Sequence, residues 1–111
     1  MLKNSFENAL LGAQRAVEYD KNNYINLRSL ASVYASVVPL GVEGSLEKAV
    51  EVFGSASLLN PLNPGIKLSI AQVYLSSNKL TEAKEYSKQA LDLKPNYVDA
   101  LIFLSQISKR E

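Results

Sequence analysis

Neither cysteine nor histidine occurs anywhere in the 111 residues of this chain. The first absence excludes a disulfide framework, and the two together exclude the usual zinc ligand sets. Ser-His-Asp and Cys-His catalysis fall with them, as does histidine-based pH switching, because each needs an imidazole. No glycine-rich phosphate loop is present either. Charge of one sign is equally scarce: 12 basic residues against 11 acidic ones leave a formal net charge of +1. That balance gives no electrostatic reason to expect nucleic acid or an acidic membrane surface as partner. None of the carboxylates stands in a recognisable catalytic setting, so no enzymatic activity, no cofactor and no metal are expected.

Long apolar runs are missing too. The longest uncharged stretches, Ser29–Val42 and Val52–Ile66, are too short for a membrane span. Pro39 and Gly41 interrupt the first, and Pro61, Pro64 and Gly65 the second. The N-terminal run MLKNSFENALLGAQR lacks the continuous apolar core of a signal peptide. Direct membrane insertion of this chain is therefore not expected. The lack of cysteine does not fix the compartment, which is left open.

What the chain does contain is a repeat. At a lag of 34, Ala49 meets Ala83, Ala56 meets Ala90, Pro61 meets Pro95, Leu68 meets Ile102 and Ile70 meets Leu104. At a lag of 40, Ala9 meets Ala49 and Ala16 meets Ala56. The same lag carries Leu30 onto Ile70, Ala31 onto Ala71, Val33 onto Val73 and Tyr34 onto Tyr74. Tyr74 and Ala83 are nine positions apart, whereas Tyr34 and Ala49 are fifteen apart, so one copy carries six extra residues. They must lie in Val37–Ser45, VVPLGVEGS, where Pro39 disfavours helix at Val38 and two glycines punctuate the loop. Ser45 is expected to cap the helix that follows.

The periodicity predicts six helices, near 4–20, 24–37, 46–59, 64–77, 81–93 and 97–109. Neighbours joined by short turns are expected to pack antiparallel. Small residues at spacings of three, four and seven share a helix face. Ala83 and Ala90 thus form a shallow strip into which the large side chains of a neighbouring helix fit.

The pattern Ile70-Ala71…Tyr74, Glu82-Ala83, then Gln89-Ala90-Leu91-Asp92-Leu93-Lys94-Pro95-Asn96 resembles the tetratricopeptide repeat (TPR). A second copy runs through Leu30-Ala31…Tyr34, Lys48-Ala49, Phe53, Ala56 and Leu59-Asn60-Pro61. The resemblance implies an all-α, right-handed helical repeat array of six antiparallel helices, forming one domain over 1–111. It would comprise a half-repeat at 4–23, a repeat at 24–63 with an insertion at 37–45, a repeat at 64–97 and a closing helix at 98–109. There are departures: the aromatic at Phe53 becomes Ser87 in the next copy and Ala13 in the first, and Lys21 replaces the terminal proline of the first helix.

Such a resemblance implies a non-catalytic scaffold that binds a protein or peptide on the side lined by the first helix of each pair. By helical spacing, Ile25, Arg28, Ser32 and Ser36 point away from the Leu27/Leu30/Ala31 core face. Leu68, Gln72 and Ser76 do so in the next copy, followed by Ile102 and Gln106. These nine residues are the candidate peptide groove, although Leu68 and Ile102 would alternatively pack on each other between adjacent helices. TPR domains that clamp acidic chaperone tails present Lys and Asn across this groove. Here Arg28 alone matches, while Ser32, Ser69, Asp99 and Phe103 occupy the other places, so chaperone-tail binding is not expected.

The insertion is apolar for a loop, and it either folds over its own repeat or presents Leu40 and Val42 to a partner. Leu2, Phe6, Leu10 and Val17 form an apolar arc on a first helix without a preceding partner, and the last helix has no following one. Repeat stacks need polar caps, so either a homo-oligomer or a longer parent chain is expected. More loosely, 22–64 resembles TPR tails of bacterial membrane proteins similar to O-antigen polymerases and ligases. That likeness implies the alternative of a structural or oligomerising appendage on a membrane-embedded glycan-assembly protein.

Overall fold

A computed structural model describes the backbone of residues 2–111 and the side chains from Ser5 onward. The described residues form six α-helices and no strand: α1 (Leu2–Tyr19), α2 (Tyr24–Ser36), α3 (Ser45–Leu59), α4 (Pro64–Ser76), α5 (Leu80–Leu93) and α6 (Val98–Arg110). No helix is long and apolar enough to cross a membrane among the described residues. The chain divides into two compact units, Met1–Asn60 and Pro61–Glu111.

In the first unit α2 packs against both α1 and α3. The chain enters α2 through Asn23, whose side chain accepts the backbone N–H of Asn26 at 3.1 Å. This satisfies one of the donors that every helix start leaves open. The Asn26 side chain in turn donates to the Ala16 carbonyl at 3.0 Å, and Gln14 donates to the Tyr34 hydroxyl at 3.4 Å. These two bonds run α1 antiparallel to α2. Leu27, Leu30 and Ala31 of α2 are buried together with Ala49, Phe53 and Ala56 of α3. Leu2, expected on the apolar arc of α1, lies outside the described side chains.

The six extra residues do not form a featureless loop. Val38–Leu40 makes one 3₁₀ turn, closed at Gly41, whose N–H donates to the Val38 carbonyl at 3.0 Å. Gly41 and Gly44 both adopt the left-handed region, at φ of 76° and 77°. The expected helix cap at Ser45 is corrected: Gly44 holds the N-cap position and Ser45 is the first helical residue. The Ser45 hydroxyl is buried and donates backwards to the Val42 carbonyl at 2.6 Å, which pins the loop to α3. Nothing lies within 4 Å of a Cβ built on Gly44, so only backbone strain opposes a side chain there. Gly44→Ala is expected to cost about 1–2 kcal/mol. Gly54→Ala, inside α3 with equally open space, is expected to gain about 0.5–1 kcal/mol. Urea unfolding midpoints measure both signs in one experiment.

In the second unit α5 packs on both α4 and α6. Asn63 caps α4 by accepting the Gly65 N–H at 2.8 Å, and Pro64 starts the helix where a missing N–H costs nothing. The α4–α5 turn spans only Ser77, Asn78 and Lys79. Asn78 takes the left-handed conformation (φ 58°), Lys79 N–H donates to Tyr74 and Asn78 N–H donates to Leu75, both at 2.9 Å. This is the paired-bond ending of a Schellman motif. Leu68, Ala71, Ala83, Ala90, Phe103 and Ile107 share one core cluster, with Tyr74 stacked on Tyr86 at a centroid distance of 5.7 Å.

Candidate functional site

The first unit brings together residues that were singled out separately. Ser32 and Ser36 project from the C-terminal half of α2, and the 3₁₀ turn carries Leu40 back beside them. Phe6 and Ala9 of α1 face them across a cleft of about 420 Å³, with Ser5, Val33 and Val37 completing its walls. Every wall residue is apolar or a serine. Such a lining suits an apolar segment, with hydroxyls placed to take isolated hydrogen bonds.

The insertion divides its apolar residues between packing and presentation. Val37 and Val38 are buried, which holds the segment down on its own unit, whereas Leu40 is 56% exposed. Val42 lies apart from Leu40. It joins Phe6, Leu10 and Tyr34 in a second cleft of about 440 Å³, whose edge carries Glu43, Glu47, Lys48 and Glu51. Phe6 lines both clefts. Lys48 pairs with Glu51 at 3.8 Å on an exposed surface, so that pair contributes little to stability.

The remaining candidates are placed as follows. Ile25 and Arg28 are exposed on α2, and the Arg28 guanidinium stands 5.9 Å from the Tyr24 ring. In the second unit Gln72 and Ser76 on α4 and Ile102 and Gln106 on α6 are exposed. The Ser36 and Ser76 hydroxyls each donate at 2.7 Å to the carbonyl three residues back, Val33 and Val73 respectively. Leu68 requires a correction. It is only 6% exposed and belongs to the core cluster that includes Phe103 and Ile107, so it is not groove surface. Nor is Ile102 buried against it, since Ile102 is 53% exposed. Helical spacing alone could not separate the two, because Leu68 is covered within a core cluster drawn from three helices, α4, α5 and α6.

Sequence reasoning did not anticipate the role of Ala9 and Ser5 as cleft walls. The available signal was the alanine register: Ala9 repeats Ala49 and Ala83, which are fully buried, yet Ala9 is exposed.

Residues 65–97 match the family model of the tetratricopeptide repeat. The fold is a TPR-like helical repeat array. It is similar to the second TPR domain of human RPAP3, solved in complex with the HSP70 peptide SGPTIEEVD, at a TM-score of 0.76 and 23% identity over 96% of this chain and 83% of that one. The TPR domain of Arabidopsis OM64 superposes with a TM-score of 0.75 at 16% identity, over 98% of this chain and 85% of that one. MamA follows with a TM-score of 0.51 at 18% identity, over 97% and 80% respectively. No match is found among curated proteins. The TPR-like unit with ordinary spacing is thus the one built on α4 and α5, and the unit before it carries the insertion.

Proposed function

We propose that this chain is a non-catalytic, protein-binding TPR module whose binding surface is the cleft between α1, α2 and the 37–45 insertion. The cleft joins Ser32, Ser36 and Leu40 with Phe6 and Ala9 in one mostly apolar concavity, and that convergence carries the reading. Its preferred ligand is an uncharged, apolar polypeptide segment. The peptide SGPTIEEVD, held by the human RPAP3 domain, is anionic, and the walls of this cleft carry no cation to meet it. Asp99, exposed on α6, would repel a carboxylate brought to that helix. Nucleic acid is a poor candidate on charge, since Lys84 and Lys88 of α5 alternate with Glu82, Glu85 and Asp92.

Selection of a phage-displayed random peptide library on dilute, monomeric chain tests the proposal. The wild type is expected to enrich apolar peptides. Leu40→Asp and Ser36→Arg are each expected to weaken capture by about tenfold or more, equivalent to about 1.4 kcal/mol. Lys88→Glu, on an exposed face of α5, is expected to leave capture unchanged. Enrichment that ignores Leu40 and Ser36 would place the binding surface elsewhere.

A further inference from the structure

The cleft on the other side of Phe6 differs in chemistry from the one proposed above. Its floor is apolar: Phe6 and Leu10 stand one turn apart on α1, and Tyr34 and Val42 complete it. The Tyr34 hydroxyl accepts a hydrogen bond from Gln14 at 3.4 Å, which helps to hold that ring in place. The edge is acidic. Glu43, Glu47 and Glu51 follow one another at four-residue intervals, from just before α3 into its second turn. Lys48, the cation at this edge, stands 3.8 Å from Glu51. Glu43 and Glu47 therefore have no ion-pair partner among the described residues.

The start of α3 accounts for one of these carboxylates. Glu47 lies in the first turn, where a helix favours negative charge. Glu43 precedes the Gly44 N-cap, and Glu51 lies beyond the first turn. Glu47 and Glu51, four apart on one helix, repel each other. The row thus opposes itself in the free chain and favours a cation laid along it. Since the whole chain carries a net charge of only +1, that attraction is local. An apolar side chain would cover the floor but strip water from the carboxylates without replacing it.

The two clefts are neighbours. Phe6 lines both, and Leu40 of the first is two residues from Val42 of the second, at most about 7 Å along the chain. We propose that the second cleft receives an arginine or lysine side chain from the same peptide whose apolar segment occupies the first. The aliphatic stem of either residue covers Phe6, Leu10 and Val42, while its cationic head stays at the wet edge among the glutamates. This inference rests on the reading of the first cleft, and gives the partner a sequence requirement: an uncharged apolar run with a basic residue close beside it.

Isothermal titration calorimetry at low salt tests it, with three end-capped peptides built on one apolar run enriched from the random library. The run is flanked on both sides by arginine, by glutamine or by glutamate. The wild type is expected to bind the arginine form about fivefold tighter than the glutamine form, the scale of two partly exposed ion pairs. The glutamate form is expected to bind most weakly, and high salt to erase the arginine advantage. Glu43→Gln/Glu47→Gln is expected to bind the arginine and glutamine forms alike, with unchanged circular dichroism. Glu43→Lys/Glu47→Lys is expected to prefer the glutamate form. Glu85→Gln/Asp92→Asn, at exposed positions on α5, is expected to keep the full arginine advantage. Equal binding of the three forms by the wild type, or an advantage that survives removal of Glu43 and Glu47, would overturn the inference. If the forms bind equally and Leu40→Asp weakens them all, the first cleft stands and the basic flank is excluded. If Leu40→Asp leaves the arginine form bound through Glu43 and Glu47, the acidic cleft stands alone and the reading of the first cleft fails. An empty selection, or no binding by any form, overturns both.

Discussion

Phe53→Ala is expected to lower the stability of the chain by about 3–5 kcal/mol, the usual cost of truncating a buried phenylalanine to a methyl group. Phe53 is 3% exposed on α3, in the core that α3 shares with Leu27, Leu30 and Ala31 of α2. No other repeat copy supplies an aromatic at this position. The counterpart on α5 is Ser87, fully buried with its hydroxyl donating to the Ala83 carbonyl at 2.8 Å, and the counterpart on α1 is Ala13. The first unit therefore concentrates its core in one ring, and small domains have only about 5–15 kcal/mol of total stability to lose. Ser87→Ala is the matched control, because it removes one hydrogen bond within its own helix and is expected to cost about 1 kcal/mol or less. Urea unfolding followed by circular dichroism measures both. Equal losses in the two variants would show that the two units do not differ in the way their cores are built.

Ala83→Leu and Ala90→Leu are each expected to cost about 1–3 kcal/mol by overpacking. Both alanines are fully buried in the cluster that holds Leu68, Ala71 and Phe103, beside the stacked Tyr74 and Tyr86. Neither site has space for three additional carbons unless α5 moves off its neighbours. The same change at the repeat counterpart, Ala9→Leu, is expected to alter the stability of the dilute monomer by no more than about 0.5 kcal/mol, since that position is exposed. Thermal melts of the three variants at low concentration give the comparison. Loss of stability at Ala9 equal to that at Ala83 would contradict the exposed position of Ala9 on α1.

The repeat arithmetic located nearly all of the fold. Of the alanines it aligned, Ala31, Ala49, Ala56, Ala71, Ala83 and Ala90 are fully buried, while Ala16 is half-buried and Ala9 exposed, and each helix lies within two residues of its expected span. This worked because close helix packing leaves no room for variation at those positions. The insertion was harder to read. Its composition could not tell that Val37 and Val38 pack inward while Leu40 and Val42 face two different clefts. That division is set by one 3₁₀ turn and two glycines with positive φ, and hydrophobicity alone does not encode a backbone turn. The exchange of roles between Gly44 and Ser45 has the same origin. Leu68 was misplaced because a helix face counts as exposed only until a later segment covers it. Of the expected groove, Ser32 and Ser36 lie in the α1–α2 cleft, together with Leu40, which had been considered separately as a loop contact.

The central claim is that a polypeptide partner enters the cleft between α1, α2 and the insertion. Amide chemical-shift mapping tests it most directly, with ¹⁵N-labelled chain titrated by a peptide enriched from the random library. The account predicts shifts concentrated at Phe6, Ala9, Ser32, Ser36 and Leu40. Shifts confined to α5, with those five amides unmoved at saturating peptide, would contradict it.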